Sequence, residues 1–176
     1  MPEVRDFPDN THHIHIMGVG GTAMAALAGL LVAKGYRVTG SDGNIVYPPM
    51  SDVLANIGIE PMVGYNKKNL TNEQPDLVIV GNVVRPVYEE AVYLVEESNI
   101  PYMSFPALLG AEFLNETHNI VVAGTHGKTT TTSLGAWLLE AAHKSPGFLI
   151  GGAALNFDTT ARSAKTDGFE KGFFII

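Results

Sequence analysis

Apolar residues in this chain fall in short runs separated by stretches with helical spacing, and the alternation repeats along its length. Ile14-His15-Ile16-Met17 reads as a buried strand, and residues 22–34, rich in Ala, Gly and Leu, as a helix that stops near Gly35. Arg37-Val38-Thr39 predicts a second strand closed by Gly40-Ser41-Asp42, followed by a helix over 51–56 with Ser51 as its N-cap. Residues 76–80 predict a third strand, 87–97 a helix, and Pro101-Tyr102-Met103 a short strand. Strands joined by helical crossovers imply a parallel sheet covered on both faces, so the expected fold class is α/β.

After Pro106 the pattern starts again, which divides the chain into a first domain over 1–105 and a second over 106–176. Residues 107–115 read as a connecting helix, 119–123 as a strand, 129–142 as a helix and 148–150 as another strand. The run Phe173-Phe174-Ile175-Ile176 is strand-like, with no turn or polar tail after it. The expectation is a second domain cut short, whose last strand presents an unpaired apolar edge able to template self-association.

Two glycine loops sit between a strand and a helix. The first, Gly18-Val19-Gly20-Gly21-Thr22-Ala23, follows G-x-G-x-x-A: glycines let the backbone turn tightly and approach a pyrophosphate at the helix N-terminus, and Ala23 allows helix and sheet to pack closely. Asp42 stands at the end of the second strand, about 20 residues on, where an acid accepts hydrogen bonds from ribose hydroxyls. The motif does not choose among NAD, FAD and nucleotide sugars, which share a pyrophosphate and a ribose. The second loop is Gly124-Thr125-His126-Gly127-Lys128-Thr129-Thr130. In such a loop the backbone N–H groups cradle phosphates, the lysine neutralises β/γ oxygens and the following hydroxyl, here Thr129, ligates Mg²⁺. Val122 stands where the P-loop pattern has its first glycine.

Charge and composition act by exclusion. The chain has 11 basic and 18 acidic side chains and a net charge of −7, the opposite of a nucleic-acid footprint. With 45% hydrophobic and 16% charged residues it is not a disordered chain. It has no cysteine, which removes disulfides, thiolate nucleophiles and Cys-zinc sites. The longest apolar run, from Ala23 to Ala33, is shorter than the ~20 residues of a membrane span. Met1-Pro2-Glu3-Val4-Arg5-Asp6 lacks the apolar core of a secretory leader, so a soluble cytoplasmic protein is expected.

Single residues offer paired readings. His12, His13 and His15 offer a metal cluster, but only His13 and His15 share one face of an extended strand and no Asp, Glu or Cys partner stands within that strand, so they read as strand residues ahead of metal ligands. His126 supplies either a ring donor or only a backbone N–H. Asn82 and Arg85 follow the third strand at the carboxyl edge of the sheet, where Arg85 either pairs a pyrophosphate or stands as a surface arginine. Tyr47-Pro48-Pro49 is a rigid turn or one wall of a pocket, and Trp137 reads as core.

Two nucleotide loops in this order, a full α/β unit apart, resemble the Mur ligase family of peptidoglycan synthesis. Residues 123–130 are similar to that family's shortened P-loop, and residues 15–21 with Gly40-Ser41-Asp42 to the branch that takes UDP-N-acetylmuramate. Val46-Tyr47-Pro48-Pro49-Met50-Ser51, Ile100-Pro101-Tyr102-Met103-Ser104, and residues 146–152 with Asn156-Phe157 are nearest to the members that join this sugar nucleotide to a murein tripeptide. The resemblance implies a Rossmann-like UDP-sugar domain followed by the start of a P-loop ATPase domain. It also implies ATP and Mg²⁺ as the requirements of an amide-bond-forming ligase. Lys128 would be its catalytic cation, with residues 124–130 on ATP, Thr129 on the metal, and Gly18, Val19, Gly20, Gly21, Thr22, Ser41, Asp42, Asn82 and Arg85 on the UDP-sugar. The family's acidic metal-binding cluster and C-terminal domain would follow residue 176, so this length alone is expected not to turn over. Left open are members that add L-alanine alone, an NAD-dependent oxidoreductase, and a non-catalytic sugar-nucleotide module.

Overall fold

The computed structural model describes residues 4, 6–152, 154–165 and 171–176; of the leader reading, Met1, Pro2, Glu3 and Arg5 lie outside the described residues. The chain divides into two compact units, Met1–Ala111 and Glu112–Ile176.

In the first unit, β1 (His13–Met17) leads through α1 (Thr22–Ala33) to β2 (Arg37–Asp42), then α2 (Met50–Asn56), β3 (Met62–Val63), α3 (Lys67–Glu73) and β4 (Leu77–Val80). A helical stretch follows, α4 (Glu89–Val92), which widens into a π-helical turn over Tyr93–Glu97 before β5 (Tyr102–Ser104) and α5 (Phe105–Leu109). All neighbouring strands are parallel and their order is β3-β2-β1-β4-β5, so the chain reverses its winding direction at β1. Ligands of open parallel sheets bind at that reversal, outside the carboxyl ends of the strands. Helix α1 starts at the end of β1 and buries seven of its 12 residues, among them Leu27, Leu30 and Leu31. Its small side chains let the helix lie close against the sheet.

Local chemistry explains where the expected elements shift. Helix α2 begins at Met50 after Pro49, and the Ser51 hydroxyl turns to the Asp52 carboxylate, so Ser51 is inside the helix and not its N-cap. Between α2 and β4 the chain adds β3 and α3. The second of these is capped by the Asn66 side chain, which accepts from the Lys68 N–H, and ends at Gln74 in a left-handed conformation (φ 47°).

His13 and His15 do share a face of β1, and both are buried. Burial, followed by the neighbouring Arg37 charge, lowers the pKa of His13 from its ordinary value. Its unfolded form takes a proton near pH 6.5, whereas the folded form resists it. Stability from this residue is therefore present above about pH 6.5 and lost as the pH falls toward the folded pKa. Urea midpoints should drop between pH 7.5 and 5.5, and by less in His13→Gln; an equal drop in both proteins would show that His13 is not responsible.

The second unit contains β6 (His118–Ile120), α6 (Lys128–Ala141), β7 (Gly147–Leu149), β8 (Ala161–Arg162) and β9 (Phe173–Ile175), in the sheet order β6-β9-β7-β8. Among the described strands only β8 is antiparallel to its neighbour. The expectation of an unpaired apolar edge at residues 173–176 is overturned. β9 is an interior strand, hydrogen-bonded to β6 on one side and β7 on the other, and Phe174 and Ile175 are buried. Their apolar run is what an interior parallel strand requires. Ala136, Phe148, Ile150 and Ile175 form the core of this unit. Trp137, expected in that core, is 42% exposed and meets Phe157 edge-on.

Candidate functional site

The first glycine loop leaves β1 at the point where the sheet reverses. Gly18 takes φ +84°, a conformation costly for any residue with a Cβ. The four loop amides are all spent inside the protein. Those of Gly18 and Val19 donate to the Ser41 carbonyl at 2.8 and 3.1 Å, that of Gly21 to the Gly18 carbonyl, and that of Gly20 to Asp42 Oδ2 at 3.0 Å. Asp42 is thus first a clamp on the loop, with one carboxylate oxygen left over. A Cβ at Gly20 would lie 2.8 Å from that same Oδ2, so the clamp and the glycine require each other.

Free donors remain one step further on. Helix α1 starts at Thr22 with no side-chain cap and no acid in its first turn. The N–H groups of Thr22, Ala23 and Met24 therefore lack helical partners and stand at the positive end of the helix. Backbone donors so placed can receive an anion. Ser41 is fully buried and its hydroxyl donates to Glu90 Oε1, so its contribution to the loop is its carbonyl. Asn82 and Arg85 are exposed beyond β4, and Arg85 borders an apolar cavity lined also by Val84, Pro86, Val95 and Tyr102. No hydrogen bond ties either residue to the glycine loop among the described residues.

Two neighbours of the loop escaped the sequence. Tyr65 follows β3, stacks on Tyr88 at 4.8 Å, and would have its hydroxyl 3.6 Å from a Cβ on Gly18. Burial and the Asp42 charge push its phenol up to about 12, so it stays protonated beside the loop. Glu90 is fully buried under the end of β2. Its place in the stripe formed with Ala91 and Leu94 is the signal that would have marked it as inward-facing.

In the second unit the loop between β6 and α6 is held at its base, where the Val122 N–H donates to the Ile176 carbonyl at 2.6 Å. Residues 123–130 are all exposed. Gly124 (φ +152°) and Gly127 (φ +77°) supply the turns, and Gly127 is the N-cap of α6, which has 14 residues and no acid in its first turn. Lys128 Nζ donates to the carbonyls of Gly124 (2.6 Å) and Thr125 (3.3 Å), folding the ammonium back over the loop. A Cβ added at Gly151 or Gly152, glycines that follow β7, would meet the Thr129 side chain at 3.6 and 3.5 Å. Among the described residues no group of three or more His, Asp or Glu side chains is placed to hold a metal ion, and no helix is long and apolar enough to cross a membrane.

Comparison with known proteins gives a consistent family. The model described as "Mur ligase family, catalytic domain" matches residues 13–116. A protein of Escherichia coli (strain K12) named UDP-N-acetylmuramate–L-alanyl-gamma-D-glutamyl-meso-2,6-diaminoheptandioate ligase is 47% identical over 163 residues, 93% of this chain and 34% of its own length. A UDP-N-acetylmuramate–L-alanine ligase of Dictyoglomus turgidum is 40% identical over 81% of this chain and 30% of its own. Among solved structures, UDP-N-acetylmuramate:L-alanyl-gamma-D-glutamyl-meso-diaminopimelate ligase from Neisseria meningitides superposes with a TM-score of 0.84 at 39% identity, covering 94% of this chain and 52% of that one. The chain spans about a third of the length of the curated relatives it matches.

Proposed function

The chain belongs to the Mur ligase family, and we propose that it serves a ligase that joins UDP-N-acetylmuramate to the tripeptide L-Ala-γ-D-Glu-meso-diaminopimelate in the cytoplasm, at the expense of ATP. The observation that carries this is one chain holding two glycine loops, each at the start of a helix with an uncapped, acid-free first turn. One serves a sugar nucleotide and the other a nucleoside triphosphate. The tripeptide comes from the relatives' names, with L-alanine alone as the alternative amine.

In the first unit the N–H groups of Thr22, Ala23 and Met24 receive the pyrophosphate, Asp42 fixes the loop beneath it and offers its second oxygen to ribose, and Asn82 and Arg85 extend the same carboxyl edge. In the second, the chemistry of the donor set fits a triphosphate. The loop is exposed, its helix end is positive, and the Lys128 ammonium rests on carbonyls it can leave without burying an unpaired group. Residues 124–130 would hold ATP, with Thr129 toward Mg²⁺. ATP supplies the phosphoryl group that activates the sugar's lactyl carboxylate for attack by an amine. Lys128 meets negative charge there, and the loop N–H groups hold it in place, so the chain contributes positioning and electrostatics.

Calorimetric titration with UDP-N-acetylmuramate, with UDP-N-acetylglucosamine and NAD⁺ as controls, tests the first site. Selective binding of the muramate is expected. Binding of NAD⁺ in its place would return the first unit to the dehydrogenases.

A further inference from the structure

Beneath the first glycine loop runs a chain of hydrogen bonds between side chains. Arg37 Nη1 lies 3.1 Å from His13 Nδ1, His13 Nε2 lies 2.9 Å from Thr39 Oγ1, and Thr39 Oγ1 lies 2.9 Å from His15 Nδ1. His15 Nε2 lies 2.9 Å from Glu90 Oε1 and 3.3 Å from Ser41 Oγ. Ser41 Oγ donates to the same Glu90 oxygen at 3.0 Å, and Asn69 Nδ2 donates to the other at 2.8 Å. His15 and Glu90 are completely buried.

The proton order follows from one fixed end. Arginine only donates, so His13 Nδ1 must accept, and its proton sits on Nε2 facing Thr39. Thr39 then passes its single hydroxyl hydrogen to His15 Nδ1, which leaves His15 with Nε2–H aimed at Glu90. This is the arrangement in which no donor faces a donor and no hydroxyl hydrogen is wasted. The lowered pKa of His13 agrees with it, because a second ring proton would point at the Arg37 guanidinium; the other titratable groups around that ring are Glu73, Asp76 and His15.

Glu90 is tied to the ligand loop on three sides. Ser41, whose hydroxyl it holds, carries the carbonyl that accepts the Gly18 and Val19 amides. Asn69 also donates to the Gly64 carbonyl, and the Gly64 N–H in turn donates to the Asp42 carbonyl. The Glu90 N–H donates to the Tyr65 carbonyl. A buried carboxylate is costly unless each oxygen is paired, and here its partners are the residues that shape the end of β2.

We propose that Glu90 is a positioning residue for the sugar-nucleotide loop, holding the carbonyl of Ser41 and the backbone of Asp42 in register through a directional chain that begins at Arg37. The ligand half of its test rests on the proposed function; the loop half does not.

The test uses Glu90→Gln, Ser41→Ala and their double variant, with Val78→Ala as a control that thins the same sheet face without touching a polar link. Ser41→Ala removes one hydroxyl and decides the matter if Glu90→Gln does not fold. In the ligand-free chain, hydrogen exchange of the Gly18, Val19 and Gly20 amides should rise at least tenfold relative to Ile14 and Ile16 in both single variants, and not in Val78→Ala. Affinity for UDP-N-acetylmuramate should fall at least fivefold in each. The double variant should be no worse than the weaker single one within about twofold, since contacting residues in one network are not additive. Loop amides that exchange no faster than the Ile14 and Ile16 references, or multiplicative losses in the double variant, would overturn the proposal. So would ¹⁵N shifts that place the proton of His13 or His15 on Nδ1 in the unaltered chain. Should the unaltered chain bind no UDP-N-acetylmuramate, the function proposed for this site falls, while the exchange result still decides the role of Glu90.

Discussion

Lys128→Ala is expected to lower ATP-dependent turnover of the intact protein by about 10²–10³-fold, the loss seen when one preorganised electrostatic partner of a transition state is removed. The fold should barely notice. Lys128 is exposed, and the two carbonyls it covers, those of Gly124 and Thr125, are exposed with it and pass to water when the ammonium is gone. The effect on stability is therefore that of a surface change, within about 0.5 kcal/mol. Lys128→Arg should not rescue, because a planar guanidinium is a different shape from a compact ammonium at the end of a tight loop. Phosphate release under saturating UDP-N-acetylmuramate and tripeptide, read beside a thermal melt, separates the outcomes. A loss of tenfold or less at unchanged stability would remove Lys128 from the chemistry.

What the sequence disclosed and what it hid divide along the range of the interactions involved. The β1–loop–α1 unit was legible because its determinants are contiguous: an apolar strand, glycines where φ turns positive, and small residues where helix meets sheet. Asp42 was legible as an acid at the right distance, yet its clamp on the Gly20 amide was not, since that bond joins residues 22 apart in sequence. Strand β3 is two residues long, and α3 buries only Leu70, so neither has a period to detect, and Tyr65 was lost with them. Glu90 meets Ser41 from 49 residues away, a pairing that exists only once α4 packs on the sheet. Residues 173–176 were recognisable as a strand, but whether a strand is an edge or an interior one is a property of the sheet. The order β6-β9-β7-β8 placed it inside.

The largest stability effect is expected from Gly81→Ala, at the carboxyl end of β4. Its N–H donates to the Met17 carbonyl at 3.0 Å, lacing β4 to β1 just before the chain turns into Gly18. A Cβ there would stand 2.7 Å from that same Met17 oxygen and 3.4 Å from Met24 Cε. The first obstacle is backbone, so no rotamer relieves it; the strands must part where the sheet reverses and the first glycine loop begins. Overpacking of this kind and the strained hydrogen bond together cost about 2–4 kcal/mol, a fall on the order of 10 °C in the melting temperature of a unit this size. The parted strands also carry the Gly18 turn with them, so affinity for UDP-N-acetylmuramate should fall alongside stability. Gly29→Ala is the counterpart: it lies inside α1, and a Cβ there meets nothing within 4 Å. The methyl group costs no contact and removes freedom from the unfolded chain, so this change should stabilise by about 0.4–1 kcal/mol. The same chemical change at two glycines of one unit should therefore shift urea midpoints in opposite directions. If both moved the same way, contact with the Met17 carbonyl would not be what requires glycine at 81.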